Sequence, residues 1–316
     1  MQIDPHDSAT RVSQCLELAI LLEASAHKPG NVTVVTDFER TRYEHFLASA
    51  VAATPTFEYA ATRGVAVSKG VIQVVDVGVG SIIRDCVANI NVWQHGGNTL
   101  LGTVILLSPI AVAAGMILTG NALEIPQLRE KLRLVVESTT PEDAVAVYEA
   151  IKIANPGGLG KAARLDVNDP DSINTILEEK ISLYAVFKMA EKYDTICSEW
   201  VNDYAVTFDL AYPTLIKHIG KTDDLNVAII HTFLSVLADC PDTFIARKTS
   251  PEKAMEISSR AKEVLNLGGL ETPNGERSLR RFDLQLRKSS NLLNPGTTAD
   301  IIAAALALCV LGGYRP

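Results

Sequence analysis

The run "TLLGTVILLSPIAVAAGMIL", residues 99–118, carries no charged side chain and is long enough, as a helix, to cross a bilayer. It is equally the pattern of a helix buried at the centre of a large all-helical protein. Ser108, Pro109, Gly102 and Gly115 interrupt it, and no Lys/Arg cluster flanks it to set an orientation. The core-helix reading is therefore preferred, and it predicts an all-α fold with no membrane association.

Outward from this run, helical punctuation recurs. Val12, Leu16, Ala19 and Leu22 share one face of a first helix, which a Lys28-Pro29-Gly30-Asn31 turn ends. Thr140, Pro141 and Asp143 form a capping box, and Asn155-Pro156-Gly157-Gly158 closes that helix. Ser250 caps a further helix that Gly268-Gly269 stops. A helix starting at Asp169-Pro170 places Ile173, Leu177, Ile181 and Tyr184 on one stripe. The C-terminal "TTADIIAAALALCVLGG" is apolar all round and reads as buried. Only "GVIQVVDVGVG", residues 70–80, has the Val/Ile content of a strand. Without repeat or linker, residues 1–316 read as a single mainly α-helical domain.

The net charge is −8 over 316 residues, which argues against a general nucleic-acid binder. Anionic ligands would need local cations or a metal. Cys15, Cys86, Cys197, Cys240 and Cys309 lack paired ligand spacing, and four of them sit in apolar surroundings, as thiols of a reducing compartment do. The polar start "MQIDPHDSAT" is not a signal peptide, so a cytoplasmic protein is expected.

Four inter-helix loops carry more polar chemistry than turning requires. They are the Lys-Pro-Gly-Asn turn with the charged 36–46 segment, "WQHGGNTLLG" at 93–102, "NPGGLGKAARLDVNDPDS" at 155–172, and "CPDTFIARK" (240–248) with "NLLNPGTTAD" (291–300). Gly-rich turns feeding helix N-termini present free amides and the positive dipole end to anions. Ordinary capping by Thr99, Thr297 or Thr298 remains the competing reading. Asp166, Asp169 and Asp171 could hold Mg²⁺, although Asp169 before Pro170 reads more simply as a cap. Asp37, Glu39 and Glu44 around Arg40 and Arg42 read as a salt-bridged solvated face. His27 and His95 are each candidate bases, with a structural role as the simpler reading.

"KPGNV", "GGNTLLG", "PDTFIARK" and "NLLNPGTTAD" occur in the order and rough spacing of the triphosphoribosyl-dephospho-CoA synthase family, which the chain resembles from about residue 12 to the C-terminus. That resemblance implies an all-α transferase that uses ATP with Mg²⁺. It would displace adenine from the ATP ribose with a hydroxyl of dephospho-CoA or a related cofactor precursor. Carried over by position, it implies site roles for Lys28, Pro29, Gly30, Asn98, Thr99, Gly102, Asp242, Thr243, Pro295, Gly296, Ala299 and Asp300. Substitution at the anomeric carbon passes through an oxocarbenium-like state, so Asp242 and Asp300 are the expected metal ligands or base. Lys28, Gly30, Asn31, Gly97, Asn98, Thr99, Thr243, Lys248, Gly296 and Thr297 are the expected nucleotide and phosphate contacts.

The chain departs from the family pattern. Leu100-Leu101 replaces a His-Lys pair, Phe244 replaces an Asn, and the middle Arg-Gly-Glu element has no counterpart. The nucleotide end looks retained and the acceptor side rebuilt. Two other readings stay open: an ATP-dependent phosphotransferase, and a non-catalytic nucleotide-binding helical protein. Nothing in the sequence decides whether the chain forms a homodimer.

Overall fold

The computed structural model describes the backbone of residues 5–117, 123–162, 164–288 and 291–316, and side chains from residue 8 onward. The first four residues of the polar N-terminal stretch and the last residue of the 99–118 run lie outside it. The helices are α1 (Pro5–Ser25), α2 (Tyr43–Ser68), α3 (Val79–Trp93), α4 (Leu101–Ile117), α5 (Ile125–Glu137), α6 (Pro141–Ala154), α7 (Asp171–Glu178) and α8 (Leu183–Ala190). They continue with α9 (Thr195–Val201), α10 (Tyr212–Lys221), α11 (Leu225–Asp239), α12 (Thr243–Lys248), α13 (Pro251–Asn266), α14 (Pro273–Arg287) and α15 (Gly296–Leu311). The fold is all-α: among the described residues the only β-type pairing is an isolated bridge between Thr33 and Thr36.

The two helices without a polar face occupy the centre. In α4 every residue from Thr103 to Gly115 is buried, and α15 is buried along nearly its whole length. They pack on each other; α1 and α2 pack on both α4 and each other or α15, while α3 lies against α6. Gly64 and Gly115 let α2 and α4 approach backbone to backbone. A Cβ on Gly64 would sit 2.0 Å from Val112 O, and one on Gly115 would sit 2.1 Å from Ala61 O. No helix among the described residues is long and apolar enough to cross a membrane.

Pro109 lies inside α4 and has no amide hydrogen to give to the carbonyl of Ile105, four residues back. The Trp200 indole takes that place, its Nε1 donating to Ile105 O at 3.2 Å. The Tyr204 hydroxyl donates to the next carbonyl, Leu106 O, also at 3.2 Å. Both rings are completely buried. Just beyond, the buried Glu199 carboxylate accepts the amides of Val206 and Thr207 at 2.8 Å each, where a π-helical turn, Val206–Ala211, leads into α10. Burial pushes the Glu199 carboxyl upward while these donors pull against it.

The predicted caps form. Thr140 and Asp143 make the capping box, Ser250 caps α13, and Asn155 and Gly268 end their helices with positive φ. Asp143 also accepts the Gly80 amide at 2.7 Å, tying α6 to α3. Two expectations fail. The 70–80 segment is not a strand: Val74–Asp76 is a 3₁₀ turn, Gly78 turns the chain and α3 starts at Val79. Among the described residues no strand lies beside it to accept ladder bonds, and Val71 is exposed. The helix predicted from Asp169-Pro170 is broken into α7, α8 and α9, because Ser182 and Asp194 each cap a new start. Of the predicted stripe, Ile181 is buried and Tyr184 packs on the core, but Ile173 is half-buried and Leu177 exposed; Ser172, Ile176, Leu183 and Phe187 supply the other buried contacts.

Removing the indole donor leaves Ile105 O buried and unpaired. Trp200→Phe is therefore expected to cost about 1–3 kcal/mol, read as a lowered denaturant midpoint at unchanged slope. An unchanged midpoint would mean the Pro109 gap is satisfied some other way.

Candidate active site

The turn after α1 is held by side chains from far along the chain. The Gly30 amide donates to Asp283 Oδ1 at 2.8 Å, and Asn294 Nδ2 donates to Gly30 O (3.1 Å) and to Asn31 Oδ1 (2.8 Å). Arg287, paired with Asp283, donates to Asn31 O. Gly30 has φ +73°, and a Cβ there would strike Leu286 and Pro295. Lys28 is 1 % exposed and turned inward. Its ammonium donates to the carbonyls of Glu23 and Ala26 and lies 3.0 Å from Glu23 Oε1, which uses all three of its protons. The cation in this turn thus holds the buried carboxylate of Glu23 in place.

Three helix starts meet next to this turn. Asp242 caps α12, its Oδ1 accepting from the amides of Phe244 and Ile245. Its Oδ2 accepts both the amide and the hydroxyl of Thr298, at 2.7 Å each, in the first turn of α15. One turn on, Asp300 repeats the pattern toward α4: its Oδ1 accepts the Thr103 hydroxyl at 2.6 Å, and the Thr103 amide adds support. Gly102 makes this contact possible, since a Cβ there would sit 2.1 Å from Asp300 Oδ2. Asn98 caps α4 by accepting the Leu101 amide, while Thr99 pairs with the Ser49 hydroxyl at 2.7 Å.

A cleft of about 480 Å³ opens at this junction. Its charged lining includes Glu23, Arg40, Asp194, Arg247, Lys248 and Asp300, and its apolar lining includes Phe46, Leu101, Ile105, Phe187, Ile196 and Phe244. The Phe244 ring carries the Lys248 ammonium 3.8 Å from its centroid and the Arg247 guanidinium at 5.7 Å. Arg247 also pairs with Asp194. Burial lowers the Lys248 ammonium. Gly296 gives the ring room, because a Cβ would lie 2.8 Å from Phe244 Cδ1.

The two aspartates differ in kind. Asp242 is 2 % exposed and does not line the cleft; its carboxylate already accepts four hydrogen bonds. Burial pushes it upward against those donors. Asp300 lines the cleft, and burial, with the charges of Glu23 and Asp242 behind it, pushes its carboxyl up to about 8. The Glu23 and Asp300 carboxyls therefore line one cleft with Asp242 behind them, and Lys28 is spent on Glu23. Such a donor set suits Mg²⁺, which takes one or two carboxylates and completes its shell with water and phosphate oxygens.

Of the residues expected from the sequence, Lys28, Asn31, Asn98, Thr99, Lys248, Gly296, Thr297 and Asp300 line the cleft. Gly30, Asp242 and Thr243 do not line it, and neither does the exposed Gly97: Thr243 bonds with Thr195 and Thr297, and Gly97 turns the chain at φ +80°. Glu23, Thr103, Asp194 and Asn294 were not singled out. Glu23 carried a signal, as a lone acid in the last turn of an apolar helix five residues before Lys28; Thr103 carried none. Arg40 faces the cleft, and the salt bridge in its segment is Arg42–Glu44. Asp166 accepts the amides of Ala162 and Asn168 at 2.7 Å, and those bonds hold its carboxyl below the usual range. It shapes its own turn, and Asp169 likewise accepts the Asp171 amide. His27 and His95 are exposed and do not line the cleft.

A curated relative, 2-(5''-triphosphoribosyl)-3'-dephosphocoenzyme-A synthase of Klebsiella pneumoniae, is 29 % identical over 93 residues. That stretch is 29 % of this chain and 30 % of that protein, so less than a third of the relative's length is matched. The crystal structure of a protein assigned as a triphosphoribosyl-dephospho-CoA synthase from Archaeoglobus fulgidus superposes with a TM-score of 0.60 at 23 % identity. It covers 85 % of this chain and 100 % of that one, a likeness of fold. The family model CitG, ATP:dephospho-CoA triphosphoribosyl transferase, matches residues 9–316. With nearly the whole chain matched, the protein belongs to the CitG family of ATP:dephospho-CoA triphosphoribosyl transferases.

Proposed function

We propose that the protein transfers the triphosphoribosyl group of ATP to a hydroxyl of dephospho-CoA and releases adenine. The observation that carries this reading is the placement of the Asp300 carboxyl in the same cleft as Arg40, Arg247 and Lys248. The bond from the ribose anomeric carbon to adenine breaks, a bond from that carbon to the acceptor oxygen forms, and the hydroxyl proton ends on the departing base. No phosphate bond is cleaved, so the polyphosphate needs anchoring and not activation.

In this reading Arg40, Arg247 and Lys248 anchor the triphosphate, with Phe244 holding the last two in position. The start of α15 at Gly296 and Thr297 adds its positive dipole end. Asp300 faces the anomeric carbon, where its carboxylate stabilises developing positive charge or takes the acceptor proton. Leu101, Ile105, Phe187 and Ile196 keep competing water away from that carbon. Glu23 and Asp300 would hold Mg²⁺, which neutralises phosphate charge when bound. Asp242 is assigned the support of the α12 and α15 starts, and Lys28 the support of Glu23, since neither has a free donor or acceptor for substrate.

Incubation of the purified protein with ATP, Mg²⁺ and dephospho-CoA should yield free adenine and a triphosphoribosylated product by mass spectrometry. ADP in place of adenine would mean phosphoryl transfer, and bound ATP with neither product would mean another acceptor. Asp300→Asn should lower kcat/KM by at least about 10²-fold. In the parent protein kcat/KM should rise with pH through a limb below the value of about 8 to which burial pushes the metal-free Asp300 carboxyl, because Mg²⁺ favours its ionised form. The stability sign is opposite. A carboxyl raised in the folded state costs stability as pH climbs from its unfolded value of about 4 to about 8, so in the absence of Mg²⁺ Asp300→Asn should melt above the parent at about pH 8 and match it at about pH 3. An unchanged pH profile in Asp300→Asn would remove Asp300 from the chemistry.

A further inference from the structure

Outside the cleft, at the corner where α10, α11 and the 3₁₀ turn Gly269–Glu271 meet, two histidines and a glutamate converge. One ligand atom from each of His218, His231 and Glu271 lies within 4.8 Å of the other two. The His218 and His231 rings are stacked, with centroids 4.7 Å apart and planes 27° apart. His218 Nδ1 is buried and has no hydrogen-bond partner, a rarity that calls for a cause. It faces Glu271 Oε1 at 3.8 Å. That gap is too long for a hydrogen bond, and it lies within the sum of one metal–nitrogen and one metal–oxygen bond, about 4 Å.

The surroundings are arranged around the imidazoles. Gly269 has φ +53°, and a Cβ on it would lie 2.5 Å from His231 Cε1, so the turn closes directly on that ring. The Leu270 amide donates to His231 Nε2 at 3.2 Å, so that nitrogen carries the ring's lone pair, which a dication would take in place of the amide hydrogen. The competing cation is Lys221, whose ammonium bonds both Glu271 oxygens at 2.7 and 2.6 Å. Its side chain is 55 % exposed and can leave for solvent when a dication arrives.

We propose that His218, His231 and Glu271 form a binding site for a dication of the zinc class, tying α10 and α11 to the turn that leads into α14. Two imidazoles and one carboxylate select zinc, cobalt or nickel over magnesium or calcium, and leave a coordination position for water. None of the three residues lines the cleft, so the site stabilises the fold and takes no part in the transfer. Because α14 carries Asp283 and Arg287, which hold the Gly30–Asn31 turn, the clasp secures the far end of that support.

The test uses the full chain, stripped with a chelator, dialysed and titrated with Zn²⁺ alone by calorimetry, with melting temperature followed in parallel. The expected result is one equivalent bound per chain and a raised melting temperature. Glu271→Gln, at a half-exposed position, should weaken binding by at least about tenfold, and His218→Ala by no less. Lys221→Ala should bind as tightly as the parent or more tightly, because the competing ammonium is gone. Absence of binding at micromolar zinc, or a stoichiometry and affinity unchanged in Glu271→Gln and His218→Ala, would overturn the proposal; the latter would place the zinc elsewhere on the chain. Adenine release is unaffected by either outcome.

Discussion

Two helices with no polar face, α4 and α15, must be buried side by side, and the site follows from that need. A helix can hide its flanks in a core, but the first amides at its N-terminus still need partners. Here the two starts emerge together and are capped by aspartates from neighbouring elements: Asp242 takes the Thr298 amide and hydroxyl, and Asp300 takes the Thr103 hydroxyl. Capping alone would explain both carboxylates. What separates them is position, since Asp242 is enclosed by its four donors while Asp300 sits on the wall of an open cleft. The same physical device, used twice, yields one enclosed carboxylate and one open to the cleft.

Burying α4 has its own cost, because Pro109 leaves a carbonyl without its helical partner. Trp200 and Tyr204 fill that gap from α9 and the segment that follows it, so the centre of the molecule is tied to the region that also supplies Ile196 and Asp194 to the cleft. On the opposite approach, Lys28 and Glu23 form a buried pair at the end of α1. Breaking such a pair strands a charge, so the turn after α1 is constrained from inside by Lys28 and from outside by Asp283, Arg287 and Asn294.

Much of this was legible in the sequence where local chemistry decides the outcome. The Thr140 and Ser250 caps, the Asn155 and Gly268 stops and the all-round apolar character of residues 301–311 are short-range signals, and each gave the element expected. The 70–80 segment misled because Val and Ile suit a strand only when a partner strand exists to accept its ladder bonds. The helix expected after Asp169-Pro170 misled because its apolar stripe says nothing of Ser182 and Asp194, which cap two new starts. At the site, the loops that converge were identified, yet the roles within them depend on long-range contacts. Asp242 and Asp300 look alike along the chain, and only the closure of Thr298 over Asp242 distinguishes them. Lys28 reads as a phosphate ligand until Glu23, one helical turn earlier, is seen to hold its ammonium. Phe244, noted only as a departure from the family pattern, is the platform on which Lys248 and Arg247 lie.

In the proposed reaction ATP binds in the cleft at the joint start of α4 and α15, with its anomeric carbon against Asp300. The most direct measurement is a crystal structure of the protein with ATP and Mg²⁺ in the absence of any acceptor, where the nucleotide is not consumed. The account predicts the triphosphate on Arg40, Arg247 and Lys248, and the ribose beside the Asp300 carboxyl. A nucleotide bound elsewhere, or one whose γ-phosphate and not its ribose faces Asp300, would contradict it.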